Sequence, residues 1–324
     1  MKLYSVKKYQ PDFKTIWDEF VTNSKNATFL FYRDFIEYHH DRFEDYSLLV
    51  FKENTLVAVL PANRVNTSIL SHQGLTYGGL VLSATIKLPE VIICFKHILE
   101  FLDVQNVTEL QLKSLPNIYH NSASDEQDYM LFKTEAKLVR CDILSVVNPK
   151  DSVLSKSRLE GVKRGRDNNL EIREVSHLDT FWNEILIPNL KEKYNTKPVH
   201  SLSEIESLKQ KFPDNIRQFN VYDNDVIVGG ATIFETHNVA HAQYISANND
   251  KNKLGTLDVL HAYLLKDVFK EKPYFDFGSS NENEGQNINE GLLFWKEGFG
   301  ARSIAHKFYS INTKNYKKLN DIMR

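Results

Sequence analysis

The stretch Pro273-Tyr274-Phe275-Asp276-Phe277-Gly278-Ser279-Ser280, with Asn287-Ile288-Asn289-Glu290-Gly291 and Leu292-Leu293-Phe294-Trp295-Lys296-Glu297-Gly298-Phe299-Gly300 behind it, constrains this chain more than any other part. It reads as a buried strand, a polar loop at the strand's carboxyl end, and a short helix with a lysine between two aromatic-glycine clusters. In open α/β sheets the loop after a strand is where ligands bind. Upstream, residues 217–222, 226–234 and 239–246 form a strand meander, and Leu257, Leu260, Leu264, Leu265 and Val268 mark the inner face of a helix over 254–269. Meander, helix and buried strand together demand a mixed α/β layer.

The first half has the same order of elements. Residues 46–52 and 56–63 are apolar runs separated by Glu53-Asn54, a hairpin signal. A helix over 88–104, a strand over 108–113 and a strand over 137–147 follow. A helix with Phe13, Ile16, Trp17 and Phe20 on one face and an aromatic helix over 31–40 precede the hairpin. Val147-Asn148-Pro149-Lys150 reads as a boundary, giving lobes 1–147 and 148–324. A length of 324 residues fits two cores. A basic helix, 156–166, opens the second lobe.

Composition narrows the function classes. A hydrophobic share of 42% excludes a disordered chain, and a net charge of -2 argues against gripping DNA or RNA by overall charge. Cys94 and Cys141 read as two thiols in a reducing cytoplasm. The first residues lack the apolar core of a signal peptide, and no apolar run approaches the roughly 18 residues a membrane span needs. A cytoplasmic protein is expected. Adjacent His39 and His40 diverge on a helix, and no cysteine or carboxylate spacing supports them, so no metal site is expected.

Residues 243–256 join the meander to the helix through Gly255, with Lys251 and Lys253 alongside. Backbone N–H groups at a helix N-terminus bind phosphate, and glycine lets a ligand approach the main chain; an ordinary tight connection reads equally from the same residues. This order of elements resembles the acetyl-CoA-binding half of the GNAT acyltransferase fold. Two such lobes resemble the FemAB-like group of tandem GNAT proteins, which includes peptidoglycan-bridge peptidyltransferases and sugar N-acyltransferases. The resemblance rests on 275–280 and 291–300, on Leu60-Pro61-Ala62-Asn63 and Thr76-Tyr77-Gly78-Gly79, and on the helix at 156–166. The usual pyrophosphate motif has several glycines, whereas here Gly255 stands alone.

The resemblance implies two tandem GNAT-like lobes with a cleft between them, and an N-acyltransferase that uses coenzyme A as acyl-CoA. The implied acceptor is a nucleotide-linked (dTDP-linked) amino sugar for surface polysaccharide. The alternatives are an aminoacyl-tRNA-dependent peptidyltransferase, disfavoured by the near-neutral charge, and a non-catalytic sugar-binding module. Lys253, Leu254, Gly255 and Thr256 would hold the pyrophosphate, and the main chain at Tyr244, Ile245 and Ser246 would polarise the thioester. Lys296 would face the reacting centre, a solvated helix residue being the equal alternative. Amine attack also needs a base, for which His200, Asp276 and Glu290 are candidates. Capping or local hydrogen-bonding roles fit Asp276 and His200 equally. Lys163 and Arg164 would bind a diphosphate, or form a solvated face. His72, Tyr77, Ser279 and Asn289 would line the substrate site, His72 and Tyr77 being equally consistent with a structural glycine turn.

Overall fold

The computed structural model describes residues 3–323. They form two compact units, one of Ile143–Ile304 and one of the residues up to Asp142 together with those from Ala305 onward. The sequence division at 147/148 assigned the last strand to the second lobe. The chain instead passes between the units twice, within strands, and its closing strand pairs in the first unit.

In the first unit, β1 (Tyr4–Lys8), β2 (Leu48–Lys52) and β3 (Thr55–Leu60) are antiparallel neighbours. The β2–β3 turn is made by Glu53 in the left-handed region at φ 56° and by Asn54. Strand β4 (Ser68–Ser71), helix α1 (Leu88–Val104) and strand β5 (Glu109–Lys113) form a crossover in which β4 and β5 are parallel. Helix α1 buries Val91, Phe95, Ile98 and Leu102 in the same core as Leu48, Val50, Ala58 and Leu60. The aromatic helix expected over 31–40 shrinks to Arg33–Ile36 with tight turns on either side. Here the Arg33 guanidinium is buried against the Tyr9 ring, 3.6 Å from its centroid, and ion-paired with Asp45 and Glu37. Strand β6 (Lys137–Val147) leads out of this unit, ending in the second.

The second unit opens with α2 (Lys156–Asp167) and β7 (Glu171–Val175). Helical residues 179–194, interrupted by a π turn at Trp182–Leu186, and helix Leu202–Lys211 follow. Strands β8 (Ile216–Asp223), β9 (Val226–Glu235) and β10 (Val239–Ala247) are the expected antiparallel meander. Helix α3 (Thr256–Tyr263), continued by a π turn at Leu264–Val268, crosses over to β11 (Tyr274–Ser279), which runs parallel to β10. Helix α4 (Glu290–Glu297) follows, and β12 (Arg302–Asn312) returns to pair with β5 of the first unit. Phe219, Ala231, Ala240 and Ala242 of the sheet, Leu260 and Leu264 behind it, and Phe275, Phe277 and Phe299 make one core.

Helix α2 lies against the start of α3 more closely than side chains permit. A Cβ on Gly255, where φ is +77°, would lie 2.1 Å from the Gly161 carbonyl oxygen and 2.8 Å from the Gly165 nitrogen. One on Gly161 would lie 1.7 Å from Asp258 Oδ2, and one on Gly165 would lie 2.6 Å from Val259 Cβ. Glycine at all three positions lets two backbones touch. Gly255→Ala adds both left-handed strain and overpacking, so it should cost about 2–4 kcal/mol. Urea unfolding measures this; a wild-type midpoint would show that the contact yields freely.

Candidate functional site

Strands β10 and β11 pair over only three residues, Val239 with Tyr274, Ala240 with Phe275 and His241 with Asp276. Past that point β10 continues to Ala247 and β11 to Ser279 without pairing to each other. Two local features drive them apart. Gln243 is an extra residue in β10, since Thr232 faces Tyr244 while Ile233 faces Ala242; such a bulge bends and twists its strand. In β11, Gly278 takes φ +73°, and Ser279 pairs with Leu144 of β6.

Beyond the parting, Ile245, Ser246 and Ala247 form one wall of a cavity of about 620 Å³. Leu186, Asn189, Leu190 and Lys193 of the helical segment line another side, and Leu292 and Trp295 of α4 a third. Asn189 Nδ2 donates to Ser246 Oγ (2.9 Å) and to the Ala247 carbonyl (2.6 Å), fixing helix to strand. The lining carries four cations, Arg158, Arg164, Lys193 and Lys251, against one carboxylate, Asp258. Burial, and then the neighbouring Lys193, lowers the pKa of Lys251. Two ammonium groups in one lining have the charge to suit an anion. Arg158 Nη1 and Trp295 Nε1 both donate to Asp258 Oδ1, at 2.5 and 3.0 Å. Burial raises the Asp258 pKa against the opposing pull of Arg158. Arg164 Nε donates to the Asn252 carbonyl (3.1 Å).

A groove of about 670 Å³ lies between other faces of α2 and α3, lined by Leu159, Val162, Lys163 and Tyr263. It is the larger of the two, but no residue of the parted strands β10 and β11 lines it. The strand parting and the greater excess of cations, four to one carboxylate against three to two, belong to the smaller cavity, which is therefore the candidate site.

The expected residues distribute unevenly. Ile245, Ser246, Arg164 and Asn289 line the cavity. Lys163, expected to act with Arg164, lies in the other groove because adjacent helical side chains point about 100° apart. The turn expected to hold a pyrophosphate is filled: the main chain of α2 occupies the space over Gly255, Thr256 is fully buried and Lys253 is exposed. Leu254 packs on the core. Lys251 and Asn252, just before this turn, reach the cavity instead. Tyr244 is buried, with the Trp182 ring edge-on at 5.0 Å and the His200 Nδ1 2.7 Å from its hydroxyl. Burial pushes the phenol up to about 12. His200 is thus held on Tyr244, just before the capping box of Ser201 and Glu204.

Lys296 and Asp276 do come together. The Lys296 ammonium is buried and donates to the carbonyls of Gly278 (3.0 Å) and Ser279 (2.7 Å). Burial lowers its pKa to about 8, with Asp276 opposing the shift. Ser279 Oγ is turned to Asn281 (3.0 Å). Asn289 caps α4 by accepting from Leu292 N at 3.0 Å. Glu290 is exposed. In the first unit, His72 and Tyr77 are packed in the interior. His72 stacks on His39 at 4.9 Å, and burial lowers its pKa to about 3. The Tyr77 hydroxyl is bonded to Thr28 (3.1 Å). An opening beside that loop, lined by Gly78, Ser114 and Gln127, holds about 20 Å³, no more than a water needs. Polar groups in a glycine-rich loop suggested a ligand site; here they complete an aromatic core.

Sequence reasoning missed the Arg158–Asp258–Trp295 contact, Asn189 and Lys193, whose partners lie far off in the chain. It also missed His241, whose Nδ1 lies 3.1 Å from Asp276 Oδ2. Among the described residues, no group of three or more His, Cys, Asp or Glu side chains is placed to hold a metal ion, and no helix is long and apolar enough to cross a membrane.

No protein-family model matches the sequence, and no curated protein does. Solved structures share its fold. FemX superimposes with a TM-score of 0.66 at 9% identity, covering 98% of this chain and 99% of that one. L-PGS from Bacillus licheniformis matches with a TM-score of 0.56 at 11% identity, over 81% of this chain and 84% of that one. The C-terminal DUF2156 domain of a putative lysylphosphatidylglycerol synthetase from Agrobacterium fabrum gives 0.56 and 11%, over 82% and 84%. The fold is mixed α/β and is the one FemX has.

Folded Lys296 releases its proton near pH 8, and an unfolded lysine near 10.5. Between these values the unfolded chain holds a proton that the folded chain lacks, so raising the pH through this window favours folding. Relative to Lys296→Met, the wild type should gain on the order of a few kcal/mol between about pH 7 and about pH 10.5. Urea unfolding of both proteins at each pH measures the difference; parallel pH curves would refute it.

Proposed function

We propose that this protein is an acyltransferase that moves an acyl group from a phosphate-bearing carrier to an amine. The observation that carries this reading is the parting of β10 and β11 after His241 and Asp276, with a cavity beyond it lined by Arg158, Arg164, Lys193 and Lys251. The cations suit phosphates, and Leu186, Leu190, Ile245 and Leu292 suit an apolar arm. That pairing of chemistries is what coenzyme A offers, so acyl-CoA is the proposed donor. Its phosphates would rest on Arg164, Lys193 and Lys251, since the turn at Gly255 is filled by α2. A thioester supplies the activated acyl carbon. The chain's own part is to exclude water, orient the carbonyl along the bulged strand and remove the amine proton. A nucleotide-linked amino sugar is the acceptor that the family resemblance favours.

A second reading has its own support. The filled turn at Gly255 removes the usual diphosphate cradle, and the fold is shared with FemX and with a domain of a putative lysylphosphatidylglycerol synthetase, a protein named for an aminoacyl product. Aminoacyl-tRNA is then the donor. Thermal shift separates the two. Acetyl-CoA at about 100 times its Kd should raise Tm by a few degrees. The double variant Arg164→Glu, Lys251→Glu should lose this shift, each change weakening binding roughly 10- to 100-fold. Stabilisation by aminoacyl-tRNA and not by acetyl-CoA would select the second reading; stabilisation by neither would overturn both.

A further inference from the structure

The last paired residues before β10 and β11 part are His241 and Asp276, and their side chains meet. Strand alternation explains why. Ala240 and Ala242 on β10, and Phe275 and Phe277 on β11, turn into the core, so His241 and Asp276 share the opposite face. Asp276 Oδ2 lies 3.1 Å from His241 Nδ1, and Oδ1 accepts the Gly278 N–H at 2.7 Å, so the carboxylate is held at both oxygens. A carboxylate facing Nδ1 places the ring proton there and leaves Nε2 with its lone pair. The Asp276 side chain is 1% exposed and the His241 side chain 11%. The pair is therefore anchored at the carboxylate, with the imidazole its more exposed end. Lys296 of α4 is also placed here, tied to the Gly278 and Ser279 carbonyls and electrostatically coupled to Asp276.

Four residues of strand separate Ile245 on the cavity wall from His241, roughly 13 Å at about 3.3 Å per residue. A carrier with its phosphates on the cavity cations and its arm between the parted strands would bring its acyl end toward that point. Resting on the acyl-transfer reading, we infer that His241 is the general base of the reaction and Asp276 its positioning residue. The amine nitrogen bonds to the acyl carbon while Nε2 takes the proton the amine sheds. The carbonyl re-forms as the bond to the carrier's sulfur breaks, and the imidazolium returns its proton to the leaving thiolate. No oxidant or further reactant enters, and the imidazole ends as it began. An ester carrier differs only in an oxygen leaving atom.

The test has two arms on the full chain. In the first, NMR of protein labelled with ¹⁵N in its histidine rings should show His241 with hydrogen on Nδ1, a state that Asp276→Asn disturbs. A wild-type ring carrying hydrogen on Nε2 alone at neutral pH overturns the assignment without any assay of activity. In the second, transfer from acetyl-CoA to a panel of primary amines should fall about 100-fold or more in kcat for His241→Ala, with KM for acetyl-CoA within about threefold. Added imidazole should restore part of the rate. His241→Gln, which keeps the ring's bulk and polarity in part, serves if the alanine variant does not fold. Wild-type kcat in a folded His241 variant overturns this inference and leaves the acyl-CoA reading standing. No transfer by the wild type from either acetyl-CoA or aminoacyl-tRNA overturns both.

Discussion

Everything proposed for this molecule depends on a parallel strand contact that stops after three residues. A parallel pair normally continues as far as both strands do, because each further residue adds ladder bonds. Here the ladder ends because β10 carries an extra residue at Gln243 and β11 swings on Gly278 toward β6. The unpaired edge that results is exposed to a cavity within the same unit.

The cations beside that edge are held by tertiary contacts. Helix α2 brings Arg158 and Arg164 to the cavity, and it can do so only because Gly161, Gly165 and Gly255 let it lie against α3. The same contact that shuts the turn at Gly255 thus supplies two of the four charges in the lining. Arg158 is also held by Asp258, one hundred residues on, whose carboxylate Trp295 holds in turn.

Much of the fold was legible in the sequence. The meander, the helix at 88–104 and the buried strand at 275–277 announce themselves by period and by bounding polar residues. Helix Glu126–Lys133 escaped notice because Tyr129 and Phe132 are exposed while Met130 and Leu131 are buried, which leaves no clean apolar stripe. Less of the site was legible. Lys296 and Asp276 sit in one conspicuous segment, so their meeting could be anticipated. His241 stands in a run of valine and alanines and shows its role only beside a carboxylate 35 residues later. Gly255 misled because the space it opens is the same whether a ligand or a helix fills it.

The two crossings of the chain, in β6 and β12, set an order of assembly. The second unit is one unbroken stretch, Ile143–Ile304, whereas the first lacks the strand that pairs with β5 until residues beyond Ala305 have been made. On the ribosome the unit nearer the N-terminus must therefore wait, its β5 edge open, while the later one completes. The unit carrying the candidate site is the first whose strands have all been made, and the unit that flanks it in sequence is completed after it.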